Sequence, residues 1–186
     1  MKITNFDPDH ASKLGTTVTI GTPAGGDLGG VLPNPTVVGI NGVAITGVPA
    51  AGDEIIATSP TTASWQTPAS AIEWVVDGSG AELTTGLKGF LEVPFACTIT
   101  AGRLLADQTG DAVVDVWAEG YADYPPTNAD SITAAAPLTI AAGVKSEDVT
   151  LTGWTKTIAA GDILGFNVDS VATVTRLTIS LTVTRT

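Results

Sequence analysis

From residue 71 to the C-terminus, apolar side chains recur at every second position, the period of a strand with one buried face. Ile72, Trp74 and Val76 share one face. Leu87, Leu91, Val93 and Phe95 share the next, with Lys88 and Glu92 opposite. Cys97 and Ile99 continue the alternation. The phase then slips near Gly102, ahead of Leu104 and Leu105, as a β-bulge would make it. Ala112, Val114, Val116 and Ala118 form an inner face, and Asp115, Trp117 and Glu119 point the other way. Val149 and Leu151 predict a short strand. Leu164, Phe166 and Val168 point inward against Asn167 and Asp169. Leu177, Ile179, Leu181 and Val183 alternate with Arg176, Thr178, Ser180 and Thr182. Turn signals stand at Asp77-Gly78-Ser79-Gly80, Thr109-Gly110-Asp111 and Ala160-Gly161-Asp162. About eight strands with one buried face each predict a two-sheet β-sandwich, jelly-roll-like, over residues 71–186. Between Pro125 and Ile132 a short helical turn is expected, capped by Asn128 or Asp130.

The first 70 residues read differently. Residues 1–20 hold a turn or helix start at Asp7-Pro8-Asp9-His10 and a small strand at Thr16–Ile20. A piece this short is expected to act as an attachment peptide docking into a larger body. Residues 21–70 are rich in Gly, Pro, Ala and Thr, and Pro33 and Pro35 hold the chain extended. Apolar residues are spaced among the glycines, where a solvated linker would carry charge. A lone extended chain cannot bury both its sides. Several identical chains wound about one axis can, so a homotrimer is expected, with Leu28, Leu32, Val37, Val38, Ile40, Val43 and Ile45 at its interface. Val48, Ile55 and Ile56 belong to the same apolar set. The fold class is all-β: an extended, intertwined N-terminal arm, then a sandwich head.

Composition narrows the functional classes. Hydrophobic residues make up 44% of the 186, enough for a real core, and the net charge of −11 opposes phosphate backbones and anionic membrane surfaces. Nucleic acid and membrane insertion are therefore not expected; no apolar run nears the roughly 18 residues a spanning helix needs. The N-terminal residues lack the apolar core of a signal peptide, so folding in a cytoplasm is expected. Cys97 is alone and, on an inward strand face, reads as a small buried hydrophobe. His10 is the one histidine and lies in the terminal arm, so a Ser-His-Asp site, a Cys-His site and a Cys/His zinc site are not expected. No cofactor or metal is implied. Paired carboxylates could hydrolyse a sugar, and Asp107, Asp111, Asp115 and Glu119 cluster in sequence, as do Asp123 and Asp130. Solvated turns and outer strand faces account for them more simply. The best candidate binding surface is Trp117, Glu119, Tyr121, Asp123, Tyr124 and Asn128, with Pro125, Pro126 and Asp130 among them. Aromatic faces beside carboxylates and amides suit sugars. Trp154, in Thr152-Gly153-Trp154-Thr155, is a second loop candidate.

The run Gly26-Asp27-Leu28-Gly29-Gly30-Val31-Leu32-Pro33-Asn34-Pro35-Thr36-Val37, followed by Ile40-Asn41-Gly42-Val43 and by Ala57-Thr58-Ser59-Pro60-Thr61-Thr62-Ala63-Ser64-Trp65, resembles a linker of tail-fibre and related fibre proteins of tailed bacteriophages. The region from Trp74 onward is similar to domains that follow such linkers. The resemblance implies a trimeric virion appendage with its N-terminus on other virion proteins. Its C-terminal domain would face outward, where it could meet a host-surface glycan. Tail fibre, head fibre and capsid decoration all fit. The rival reading is a monomeric carbohydrate-binding module on a flexible tether.

Overall fold

The computed structural model describes residues 28–29, 36–50 and 52–186. The expectations for residues 1–20, His10 and Leu32, and most of the fibre-like run, lie outside the described residues. The chain is all-β, and its contacts separate into two units that meet between Gln66 and Thr67.

The first unit contains β1 (Leu28–Gly29) paired with β2 (Thr36–Val37), and a four-stranded sheet ordered β3 (Gly39–Ile40), β4 (Val43–Thr46), β6 (Thr62–Gln66), β5 (Glu54–Ser59). The segment is built from extended strands, as its composition implied, but these turn back on one another within one chain. The cause is local. Asn41 and Gly42 both sit at positive φ, 53° and 78°, the geometry of the tight turn that Asn-Gly favours, and Ile40 is thereby paired with Val43. A second reversal at Ser59–Thr62 is held by the Ser59 hydroxyl, which accepts from the Thr61 and Thr62 amides at 3.2 and 3.0 Å.

The register sorts this sheet into two unlike faces. Directly paired residues lie on the same side of a sheet. Ile40 pairs with Val43, Ile45 with Ala63, Ala63 with Ala57, and Ile55 with Trp65, so all of these share one face. Thr46, Ser64, Thr62, Glu54 and Gln66 lie on the other, along with Ala44 and Ile56.

The second unit is a β-sandwich made from one strongly curled seven-stranded sheet. Its strands are β7 (Ala69–Asp77), β8 (Gly86–Val93), β9 (Cys97–Glu119), β10 (Leu138–Asp148), β11 (Thr157–Ile158), β12 (Asp162–Ala172) and β13 (Arg176–Arg185). Strand β9 serves both layers: residues 97–106 pair with β13, residues 111–119 with β12, and β10 runs along its other flank. One layer is β7-β13-β9 and the other β8-β12-β9. This is why seven strands suffice where about eight were expected. Thr109-Gly110-Asp111, expected as a turn, is the corner where β9 leaves β13 for β12.

The alternating residues build the core. Ile99, Leu104, Val114, Val116, Leu164, Phe166, Leu177, Ile179, Leu181 and Val183 are all fully buried. The expected bulge near Gly102 is present, between the pairs Thr182–Ala101 and Val183–Ile99. Cys97 is buried, and burial pushes its thiol pKa up, as befits a packed hydrophobe.

Two sequence expectations are corrected, and one strand is new. Leu87 was placed inside with Leu91 and Val93, but it is 40% exposed. The ladder skips Lys88, pairing Phe166 with Gly89 and Asn167 with Leu87, and the skip moves Leu87 to the outer face with Phe90. Val149 and Leu151 are not a strand: β10 ends at Asp148, whose carboxylate accepts from the Thr150 and Leu151 amides at 2.8 and 2.9 Å and folds a turn. Strand β10 itself was not foreseen, because two register shifts between Ile140 and Lys145 break its alternation.

The acid excess is used in this way throughout the sandwich. Asp107 accepts from the Thr175 hydroxyl and from the Thr175 and Arg176 amides, and Asp162 accepts from the Ala159 amide. The Thr175 hydroxyl, then the Arg176 amide, hold the Asp107 pKa down to about 2. Asp148 is lowered by the Leu151 and Thr150 amides, and Asp77 by the Ser79 amide and the Arg176 side chain. Carboxyls with depressed folded pKa values stabilise fully above their unfolded pKa, and that stability is lost as pH falls through the folded values. The melting temperature should therefore hold down to about pH 4 and fall between about pH 4 and 2. Thermal melts of the wild type and of Asp107→Asn check this. The variant should melt lower at pH 7 and lose less on acidification; parallel curves would refute the role given to Asp107.

Candidate functional site

The segment singled out in the sequence folds over the outer face of the β8-β12-β9 layer. Trp117 and Asp115 point outward from β9 because the inward positions belong to Val114 and Val116. Asp115 is nonetheless only 6% exposed. Its Oδ2 accepts from Trp117 Nε1 at 2.8 Å, and its Oδ1 accepts from the Ser131 and Thr133 hydroxyls at 2.7 and 2.5 Å. One carboxylate thus fixes the indole and the returning loop together, and the Ile132 amide completes the tie by donating to the Val116 carbonyl at 2.9 Å.

Gly165 pairs with Trp117 on one side and with Phe90 on the other, and leaves a notch between two aromatic residues. Pro126 seats there: a side chain at Gly165 would meet Pro126 Cγ at 3.3 Å, Leu87 at 3.4 Å and Phe90 at 3.5 Å. Pro126 is buried, and Tyr124 stands edge-on to Phe90 with ring centroids 5.0 Å apart. The expected helical turn is present as a 3₁₀ turn, Asn128–Asp130, preceded by another at Tyr121–Asp123. Its cap is Thr127, not Asn128. Asp130 closes the capping box by accepting from the Thr127 amide at 2.7 Å. The Thr127 amide and hydroxyl hold the Asp130 pKa below the usual range, and Glu119 lies beside it. Glu119 also accepts from the Gly120 amide at 2.8 Å.

The candidates therefore separate. Trp117 and Glu119 lie half-buried on β9, and Tyr124, 48% exposed, stands against Phe90. Tyr121, Asp123 and Asn128 face solvent on the two short turns, with Tyr121 78% exposed. Trp154 does not belong to the surface. It is 7% exposed, packs in the core and donates Nε1 to the Ala136 carbonyl at 2.9 Å, so its expected role in a loop site is withdrawn. Pro126, named with the candidates, is the residue that fills the notch, whereas Phe90, Ser131 and Thr133 were missed. The signal for Phe90 was its phase opposite to Leu91; the hydroxyls carried none.

The other acids in the carboxylate series act locally, Asp111 accepting from the Ala142 amide at 2.8 Å. No group of three or more His, Cys, Asp or Glu able to hold a metal ion occurs among the described residues. No helix among them is long and apolar enough to cross a membrane.

No family model, curated protein or solved structure matches this chain.

The loop's dependence on Asp115 is testable. Asp115→Ala strands three donors and should cost about 3 kcal/mol. Asp115→Asn keeps an acceptor oxygen for Ser131 and Thr133 and loses only the indole bond, so about 1–2 kcal/mol is expected. Chemical denaturation ranks the two; equal losses would contradict the division of bonds described.

Proposed function

We propose that this chain is a structural subunit of a tailed-phage virion, a homotrimeric fibre or decoration protein without catalytic activity. Its small N-terminal sheet joins the copies and its sandwich is displayed outward, at the host surface. The observation that carries the reading is the apolar face of the four-stranded sheet, built from Ile40, Val43, Ile45, Ile55, Ala63 and Trp65. A sheet with one apolar face requires a covering layer. On that face Ile40 is 58% and Ile55 41% exposed, while Ala63 is buried; Val37 in β2 and Val38 beside it, also named for the interface from the sequence, are 67% and 43% exposed. Leu28 is 40% exposed, and Val43 and Ile45 are half-buried. The fibre-like run and its sequel coincide with this unit, which supports the virion assignment over other assemblies. A glycan could bind at Tyr121, Tyr124 and the outer edge of Trp117. The tethered sugar-binding module is the weaker reading, since Trp154, Asp115 and Pro126 are engaged in packing.

Immunogold labelling of particles released by cells that make this chain tests the assignment. Label on projecting appendages is expected. Particles that carry none, with the chain left in the soluble fraction, would overturn it.

A further inference from the structure

We infer that the open edge of β7 is a docking site for an extended, basic peptide segment of a partner protein. The segment adds as a further strand beside β7, sets one apolar side chain into a cavity between β7 and β8, and brings a basic residue to Glu73 and Glu92. The inference does not depend on how copies of the chain assemble.

The edge calls for a strand. The path of the curled sheet ends in β7 on one side and β8 on the other. Alternate residues of an edge strand turn their N–H and C=O groups to the open side, where another extended chain can satisfy them in series. The other edges are spoiled for this. Strand β8 is broken by the skip at Lys88, β10 by two register shifts, and β11 has two residues. Strand β7 is intact. All nine residues of Ala69–Asp77 pair with β13 without a shift, and among the described residues no other segment gives them a backbone hydrogen bond.

A cavity lies along the same edge. Trp74 fills the space at Gly89. Towards the start of β7 a cavity of about 230 Å³ is lined by Ser70, Ile72 and Glu73, and from the end of β8 and beyond by Leu91, Glu92 and Phe95. Ser70 pairs with the buried Val183 and so stands on the inward side, yet it is exposed: the core is open there. A strand beside β7 directs every second side chain to that side. The cavity is smaller than the roughly 300–1,000 Å³ of sites that take whole small molecules, and suits a single side chain.

Charge selects the occupant. Glu73 and Glu92 line the cavity and no Lys or Arg does. The Ser180 hydroxyl donates to Glu73 at 3.3 Å, and Glu92 has no hydrogen bond or ion pair among the described residues. The nearby Arg185 is stacked on the Phe95 ring at 4.2 Å. A second copy fits worse. Two β7 strands paired antiparallel over their full length would set Glu73 against Glu73, and like charges directly opposite destabilise a pair. The sandwich, residues 67–186, carries fourteen Asp and Glu against six Lys and Arg, so identical sandwiches repel at a net −8 each. A basic segment gains from both.

Titration calorimetry of the full chain with synthetic peptides of strand length tests this, one alternating valine with lysine and one alternating valine with glutamate. The lysine peptide should bind, and the glutamate peptide at least about tenfold more weakly. Reversing both acids, Glu73→Lys with Glu92→Lys, should invert that order. Asp123→Lys, the same change on the Tyr121–Asp123 turn, should leave it as in the wild type. N-methylation of alternate amides separates strand pairing from charge alone. One pattern should abolish binding of the lysine peptide, and the other, whose methyl groups point away from β7, should keep it. A lysine peptide that does not bind, an order that the reversal leaves unchanged, or equal binding of the two methylated peptides overturns the proposal. Binding that occurs only as the light-scattering mass of the chain falls would put a second copy on the edge, and overturns the choice of occupant.

Discussion

Gly89→Ala should destabilise the sandwich by about 4 kcal/mol, a fall of roughly 15 °C in melting temperature for a unit of this size. Two costs combine. Gly89 sits at φ 148°, a region that residues with a side chain rarely adopt. Its missing side chain is also where Trp74 lies: an added Cβ would be driven into Trp74 Cζ2 and would stand 3.0 Å from Cη2. Moving Trp74 would also disturb its stack on Phe166, the residue paired with Gly89, at 5.5 Å and 7°. The indole reaches from β7 as a slab onto the paired strands β8 and β12 of the other layer, and its Nε1 is buried with no hydrogen-bond partner among the described residues. The steric part should vanish when the slab is removed. In a Trp74→Leu background, Gly89→Ala should cost only about 2 kcal/mol, the backbone share. A double-mutant cycle by chemical denaturation measures this. Strict additivity would show that Gly89 is needed for its backbone alone.

Phe166→Ala should cost about 3–5 kcal/mol. Phe166 is completely buried in β12, between Leu164 and Val168, and meets Trp74 across from the opposite layer. Truncation removes the surface on which the indole rests, at the one place among the described residues where aromatic rings of the two layers touch. Phe166→Leu keeps most of the volume and should cost about 1–2 kcal/mol. Equilibrium unfolding in urea distinguishes them. A loss below about 1 kcal/mol for the alanine variant would mean that the core closes over the gap, contrary to the packing described.

These two residues also mark what the sequence disclosed. Phe166 was legible, since strict alternation from Leu164 to Val168 can be satisfied in only one way beside a buried layer. The inward faces of β7, β9 and β13 were legible for the same reason. Gly89 was not: a residue without a side chain carries no hydrophobic signal, and the skipped Lys88 hides the change of phase that sends Leu87 outward. Strand β10 vanished into two register shifts. The N-terminal sheet was foreshadowed by Asn41-Gly42, the strongest short hairpin signal in the chain, yet abundant glycine and proline favoured a single extended arm. In the candidate site, Trp117 and its acids were visible by alternation. The loop folded back over them was not, because Ser131 and Thr133 reach Asp115 from 16 and 18 residues away. The same distance effect made Trp154, flanked by glycine and threonine, look like a loop residue when it is core.

In the proposed assembly the small sheet joins the copies and carries the sandwich as an independent domain. The sandwich closes its own core from Ile72 to Val183, so residues 67–186 can be studied alone. The most direct measurement is the light-scattering mass of the full chain beside that of residues 67–186. The account predicts about three times 18.7 kDa for the full chain and a monomer for the sandwich. A monomeric full chain, or a sandwich that trimerises by itself, would contradict it.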